Sequence, residues 1–439
     1  MGVNFNPNPK LSSGIRYTYD YTKWDNNVKN NIKQNNDNIN QLSHFIQPER
    51  NHKVNAYYHG DLSDKLSLNI HFDWLKGDEE VDMSSHYAEM PDDILNTQST
   101  RDYDLYAGKG VLSYMLGSGV LEAGGEYTYT RFLQTYNINK PELEIEDSND
   151  KAIQNRGAIF LSYQTQLGKW GFSGGMRYEN INMDYFENNV LNKEQSKKYN
   201  QFFPNITVSY ALENLQTSVG FERKVNYPHY SQLRSNVQYS SPFLYESGNP
   251  KLQPKIENSF TAMFAWKNVQ AMASYTLNEN DILSFVQQFK DQPIVLFRPE
   301  NVKRTQNANF GISYAPTIGI WRPQFEVGGM WQWLNLVNEN QEYNKPIFSC
   351  KWNNTFSFPQ DWTIRLNADG HAGGHSGVTL LSPFWGIDLN VSKRFLKKQL
   401  TINLSANDIF KTRKNKWEMN YGKINMWYDK NIDSRSVSL

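Results

Sequence analysis

The chain has 439 residues with 45 basic and 45 acidic side chains, so its formal charge is zero and nothing points to a nucleic acid partner. Mean hydropathy is −0.70, yet aromatic residues reach 14%, an average expected of strands that keep one greasy and one wet face. No run of about 18 apolar residues occurs, which excludes a transmembrane helix but not transmembrane strands. The single Cys350 excludes an internal disulfide framework and a zinc site built from several cysteines.

The opening M-G-V-N-F-N-P-N-P-K has neither the basic nor the apolar region of a signal peptide. Either an export signal lies upstream of this chain or a membrane reading is wrong. From Ile15 onward the chain alternates. Ile15, Tyr17, Tyr19 and Tyr21 oppose Arg16, Thr18 and Asp20, the period-2 signature of a strand. The next clear stretch, Leu66–Trp74, places Leu66, Leu68, Ile70, Phe72 and Trp74 on one face. Ser67, Asn69, His71 and Asp73 fall on the other. This alternation holds for about nine residues, the length a tilted strand needs to cross a bilayer.

The pattern returns at Leu121–Tyr129, Phe325–Trp333, Trp362–Asp369 and Leu400–Asn407. Connections alternate between tight turns (Gly117–Ser118, Gly168, Pro359–Gln360, Leu396–Lys398) and longer connectors (Asp25–Gln47, Asp78–Ser99, Asn137–Asp150, Tyr227–Lys255, Asn338–Asn344, Ala372–Leu380, Lys411–Lys430). Asp25–Gln47 is Asn-rich and shows no strand alternation, so it is expected to be a mobile loop. Short turns at one end and long loops at the other describe an up-and-down transmembrane β-barrel. The expected fold is all-β and antiparallel, with about 19 strands of a barrel of roughly 22. The first strand, around Val3–Asn6, and the last, Ile432–Leu439, read as incomplete. Residues 1–439 thus form one partial barrel domain.

At Tyr227–Pro254 the run Y-P-H-Y-S-Q-L-R is followed by S-P-F-L-Y-E-S-G-N-P-K-L-Q-P. Pro228, Tyr230, Leu233, Gly248, Asn249, Pro250, Leu252 and Pro254 resemble the barrel motif of TonB-dependent receptors, with Tyr227 standing where that family has Arg. Leu389–Phe410, ending in Asp408, Ile409 and Phe410, is similar to the family's penultimate hairpin. The resemblance implies an outer-membrane receptor of a Gram-negative bacterium that takes up a scarce nutrient. Its partners would be membrane lipid, the barrel-assembly machinery, an unidentified nutrient, and the TonB complex acting through an N-terminal plug domain. That plug has no counterpart in these residues, and the last strand stops before the usual aromatic terminus. A plug-free, porin-like channel and a soluble all-β binding protein are the alternative readings.

No catalytic residue or cofactor is expected: no nucleophile-elbow pattern surrounds any Ser, and His371 and His375 in H-A-G-G-H lack a third metal ligand. Trp74, Tyr129, Trp266, Trp331, Trp333 and Trp362 read as interfacial girdles, with a sugar-stacking platform as the alternative. Tyr227, His229, Tyr230, Arg234, Tyr239 and Tyr245 cluster in one external connector. They fit either loop packing on the barrel rim or ligand contact at the outer mouth. Arg16, Glu122, Glu126, Arg177, Glu179, Glu222, Glu326, Arg365 and Asp369 are expected on the inner wall.

Overall fold

Alternation of apolar and polar residues leaves these strands one way to satisfy their backbone in hydrocarbon, which is to pair with one another in sequence. The computed structural model describes residues 1–34, 37–336, 342–430 and 434–439. Among these, one sheet contains 22 strands. Three short ones, Val190–Leu191, Val237–Ser241 and Leu244–Ser247, belong to loops. The other nineteen form one antiparallel meander from Gly2–Asn8 to Ser436–Ser438, each paired with the next wall strand. That matches the strand number read from the sequence. Of the expected last strand, residues 432 and 433 lie outside the described residues, as do 338–341 of the connector Asn338–Asn344.

The tight turns expected from the sequence fall at one end. Gly117 and Gly168 sit in two of these turns at φ 60° and 61°, the left-handed region glycine enters without strain. At the other end two expected loops prove to be extensions of wall strands, and two more, Ala372–Leu380 and Lys411–Lys430, carry a separate four-stranded sheet. Leu11–Gln34 pairs with Asp37–Ser63 out to Gln34 opposite Asp37, so the described residues of the Asn-rich stretch Asp25–Gln47 are the arms of a hairpin. Leu66–Tyr87 and Met90–Leu116 likewise pair from Tyr87 opposite Met90 downward, which absorbs Asp78–Ser99. Ladder pairing needs only backbone groups, and above the bilayer both strand faces meet water, so apolar alternation is not required there. These strands run to 27 residues, far past the roughly 9–11 that a tilted strand uses to cross a membrane.

The faces follow the alternation. Ile70 and Phe72 are 44% and 45% exposed, so the Leu66–Trp74 row lines the outside instead of packing onto a second sheet. Ile159, Val219, Phe260, Ile312, Val327 and Leu404 continue this exposed apolar surface around the wall, the band that lipid covers. Buried apolar clusters lie at the outer mouth instead. One joins Met83, Leu95, Tyr136, Tyr239, Tyr245, Phe289 and Leu296. A second joins Ala152, Met183, Tyr185, Leu233 and Leu252. The third gathers Phe285, Val286, Leu334, Tyr343, Val378 and Met419.

Candidate functional site: a strap across the outer mouth

The connector after strand Leu215–Asn226 does not stand away from the barrel. It folds back over the inner wall as a strap, Tyr227–Pro254, before strand Lys255–Trp266 begins. The motif residues close its base. Asn249 N–H donates to Gln232 O at 2.6 Å, and Asn249 Nδ2 donates to Pro299 O at 3.0 Å. A Cβ on Gly248 would lie 2.5 Å from Arg234 O, so only glycine lets the two legs of the strap meet. Leu233 and Leu252, one from each leg, bury themselves in the same cluster.

Each end of the strap is tied to a different wall. Tyr227 Oη donates to Glu179 Oε2 at 3.0 Å, at the end of an ion-pair chain. In that chain Arg156 reaches Glu126 at 3.0 Å, and Arg177 reaches both Glu126 at 3.2 Å and Glu179 at 2.6 Å. Glu126, Arg177 and Glu179 lie on the inner wall expected from the sequence, and with Arg156 their charges balance. Tyr230 stacks on Phe132 at 4.8 Å, and its hydroxyl donates to Gln154 Oε1 at 2.7 Å. His229 stays exposed, while its N–H donates to Gln232 Oε1 at 3.0 Å.

The strap's tip reaches further. Tyr239 N–H donates to Tyr136 Oη at 3.0 Å, and Gln41 Nε2 donates to Tyr239 Oη at 2.8 Å. Leu244–Ser247 pairs in parallel with Leu296 and its neighbours, and Tyr245 meets Phe289 edge-on at 5.1 Å. The strap therefore joins the tall wall to the wall around strand Val295–Tyr314 across the opening. Tyr239 and Tyr245 share one cluster with Tyr136. Tyr227 and Tyr230 are anchored elsewhere, so the six expected residues form two groups. Gln41, Tyr136, Gln154 and Asp150 were not singled out from the sequence. Gln41 and Asp150 were hidden inside stretches read as connectors; Tyr136 and Gln154 lie on the inner face, above the length a membrane strand needs.

The tip's underside is electrostatically strained. Arg234 is buried, and its nearest carboxylate, Glu246, lies 3.8 Å away. Burial holds its guanidinium below the ordinary arginine range, only partly offset by Glu246, and Arg101 adds repulsion. Burial also pushes the Tyr136 hydroxyl up to about 12 and raises the Asp150 carboxyl. Gln134, 1% exposed, has no hydrogen-bond partner on either amide atom among the described residues. Groups with buried, unsatisfied bonding capacity weaken a contact, so the strap is held by aromatics and a few bonds above a poorly satisfied floor.

His371 and His375 do not converge. His375 Nδ1 accepts from Lys345 N–H at 3.1 Å, and His371 packs edge-on against Phe384 at 4.4 Å. Among the described residues no group of three His, Cys, Asp or Glu could hold a metal ion.

A nineteen-strand meander with an apolar outer band, a polar inner wall and an inward strap narrows the comparison to membrane barrels. Residues 60–439 match the model of the Outer membrane protein beta-barrel family. The chain belongs to that family. The family barrel is similar in fold to the copper transporter OprC, with TM-score 0.68 at 11% identity over 94% of this chain. It spans 66% of OprC's length. The ferric citrate transporter FecA (TM-score 0.59, 12% identity) aligns with 99% of this chain and 73% of its own. The siderophore receptor PiuA from Acinetobacter baumannii (TM-score 0.59, 10% identity) aligns with 99% of this chain and 78% of its own. No curated protein matches the sequence. The resemblance to TonB-dependent receptors read from the motifs thus extends to the fold, and the chain is a barrel of the Gram-negative outer membrane.

Proposed function

We propose that this barrel is the wall of an outer-membrane receptor that admits a scarce nutrient, with the strap Tyr227–Pro254 as its outer contact. The observation that carries the reading is the strap itself. A segment that crosses the mouth and is pinned at Tyr227, Tyr230, Tyr239 and Tyr245 obstructs steady diffusion. Selective passage then requires that it yield to a ligand or to force.

Energy from the TonB complex would act through a plug-like domain in the lumen, and the barrel-assembly machinery would insert the wall into the membrane. Both belong to the proposal, as does ligand contact by His229, the one of the six expected residues that stays exposed. The neighbours in fold are named for copper, ferric citrate and siderophores, and that naming supports uptake without choosing a substrate. Planar-bilayer conductance of the full-length gene product tests it. Closed traces that open only when the strap is loosened, as in a Tyr239→Ala/Tyr245→Ala double variant, support a receptor. Steady openings from the unaltered protein favour a porin-like channel.

A further inference from the structure

Beneath the apolar cap formed by Val286, Leu334 and Tyr343, the inner wall holds a niche of about 400 Å³. That volume falls within the roughly 300–1,000 Å³ of small-molecule sites. Its floor spans neighbouring strands in register, with Glu257 opposite Asn278 and Asn278 opposite Thr305. Its roof is the hairpin that carries Gly377. Gln332 holds that roof from the wall, donating through Nε2 to Tyr343 O at 2.5 Å and Gly377 O at 2.7 Å. In return, Gly377 N–H donates to Gln332 Oε1 at 2.9 Å.

The charges of the niche cancel. Lys255 Nζ lies 2.9 Å from Asp281 and 3.1 Å from Glu257, and Lys224 stands 3.5 Å from the other Glu257 oxygen. An anionic ligand therefore meets no spare cation here, and a cation meets no spare carboxylate. What the lining offers instead is carboxamides and hydroxyls: Asn278, Asn307, Asn309, Thr276 and Thr305. Asn278 is fully buried. Its Nδ2 donates to Thr305 Oγ1 at 3.0 Å, and that hydroxyl donates on to Asp281 at 2.5 Å. Asn278 Oδ1 accepts no hydrogen bond from the described residues, so the floor keeps one acceptor to spare. Met330 and Leu283 supply an aliphatic edge.

We propose that this niche binds a neutral polyhydroxylated molecule, a small saccharide, on its way through the barrel. A sugar hydroxyl donates and accepts at once, which suits carboxamides that do both. Its C–H faces suit Met330 and Leu283, and its lack of charge suits a niche whose ions are already paired. The site lies on the wall below the strap, and the proposal stands whether or not the strap itself takes a ligand.

Saturation-transfer difference NMR on the detergent-solubilised full chain tests it, with sucrose and maltotriose as probes and citrate as the charged comparator. Saturation should pass to the sugar protons and not to citrate. Asn307→Leu should lower the sugar signal at least about threefold, by analogy with the energy of one lost hydrogen bond, and Asn278→Leu should do the same. Heat-modifiable gel migration checks that both variants still fold. Because Asn307 has a smaller share in the floor's bonding, it serves as the readout if Asn278→Leu does not fold. No transfer to either sugar, equal transfer to citrate, or an undiminished signal in Asn307→Leu would overturn the assignment.

Discussion

Gln41 and Tyr239 lie 198 residues apart in sequence, yet the Gln41 amide donates to the Tyr239 hydroxyl at 2.8 Å. The same amide nitrogen also donates to Ser85 Oγ at 2.8 Å. The strap's tip is thus bonded to a residue that is itself fixed in the tall wall. Tyr239→Phe removes one neutral hydrogen bond and leaves Gln41 bonded to Ser85, a loss of about 0.5–1.5 kcal/mol. Gln41→Leu strands the buried Tyr239 hydroxyl and should cost more, about 1–3 kcal/mol. Hydrogen exchange at the amides of Val237–Ser247 reads both. Faster exchange in Tyr239→Phe than in Gln41→Leu would contradict this order.

Gln134 offers the opposite case. It stands between Arg101 and Asp150 in the ladder, is almost wholly buried and bonds neither amide atom to the described residues. Replacing a buried polar group that has no partner with an apolar one of similar shape is neutral or stabilising. Gln134→Met is therefore expected to hold or raise stability by up to about 1–2 kcal/mol, measured as the urea midpoint for unfolding from lipid vesicles. A clear fall would show that Gln134 bridges Arg101 and Asp150.

Much of this was legible in advance where two solvents imposed a pattern. Leu66–Trp74 alternates because lipid and water touch opposite faces, so its strand and orientation could be read, whereas its continuation to Tyr87 above the bilayer could not. The motif around Gly248 and Asn249 marked the strap, since a close backbone approach demands glycine. Gln41 could not be read. It sits where the strand has left the bilayer, both faces are wet, and backbone pairing alone sustains the ladder, so nothing in Asp25–Gln47 distinguished a strand from a loop. The partners of Tyr227 and Tyr239 were hidden for a different reason: they are fixed by the curvature that brings distant strands to one mouth, which local sequence does not encode. The separation of His371 from His375 also followed from tertiary packing, with each ring taken up by a different neighbour.

His375 supplies a pH test. Burial, together with Lys345, lowers its imidazole below the ordinary 6.5, although Glu418 pulls the other way. The unfolded hairpin therefore binds a proton more readily than the folded one. Stability is full above about pH 6.5 and falls as pH drops through that value toward the lowered one, because only the neutral ring accepts from Lys345 N–H. Proteolysis within Gly374–Leu381 should quicken between about pH 7.5 and about pH 5. His375→Gln should abolish most of that dependence. An unchanged pH response in the variant would assign it to another group.

The outer face can be tested by depth. In strand Leu400–Asn407, Ile402 and Leu404 are exposed apolar residues on the lipid side, and Asn403 between them faces the lumen. Ile402 is close to the short turn Leu396–Lys398, near the membrane edge, whereas Leu404 sits deeper. An Arg at the bilayer midplane of a barrel costs about 2–4 kcal/mol, falling toward about 0–1 near the interface. Leu404→Arg is therefore expected to approach the upper figure and Ile402→Arg to cost less. Asn403→Arg should cost least, since its charge stays in water. Refolding titrations into lipid vesicles measure all three. The order matters more than the sizes, because depth alone separates Leu404 from Ile402 while facing alone separates both from Asn403. Equal losses at the three positions would mean that this strand does not present one side to lipid.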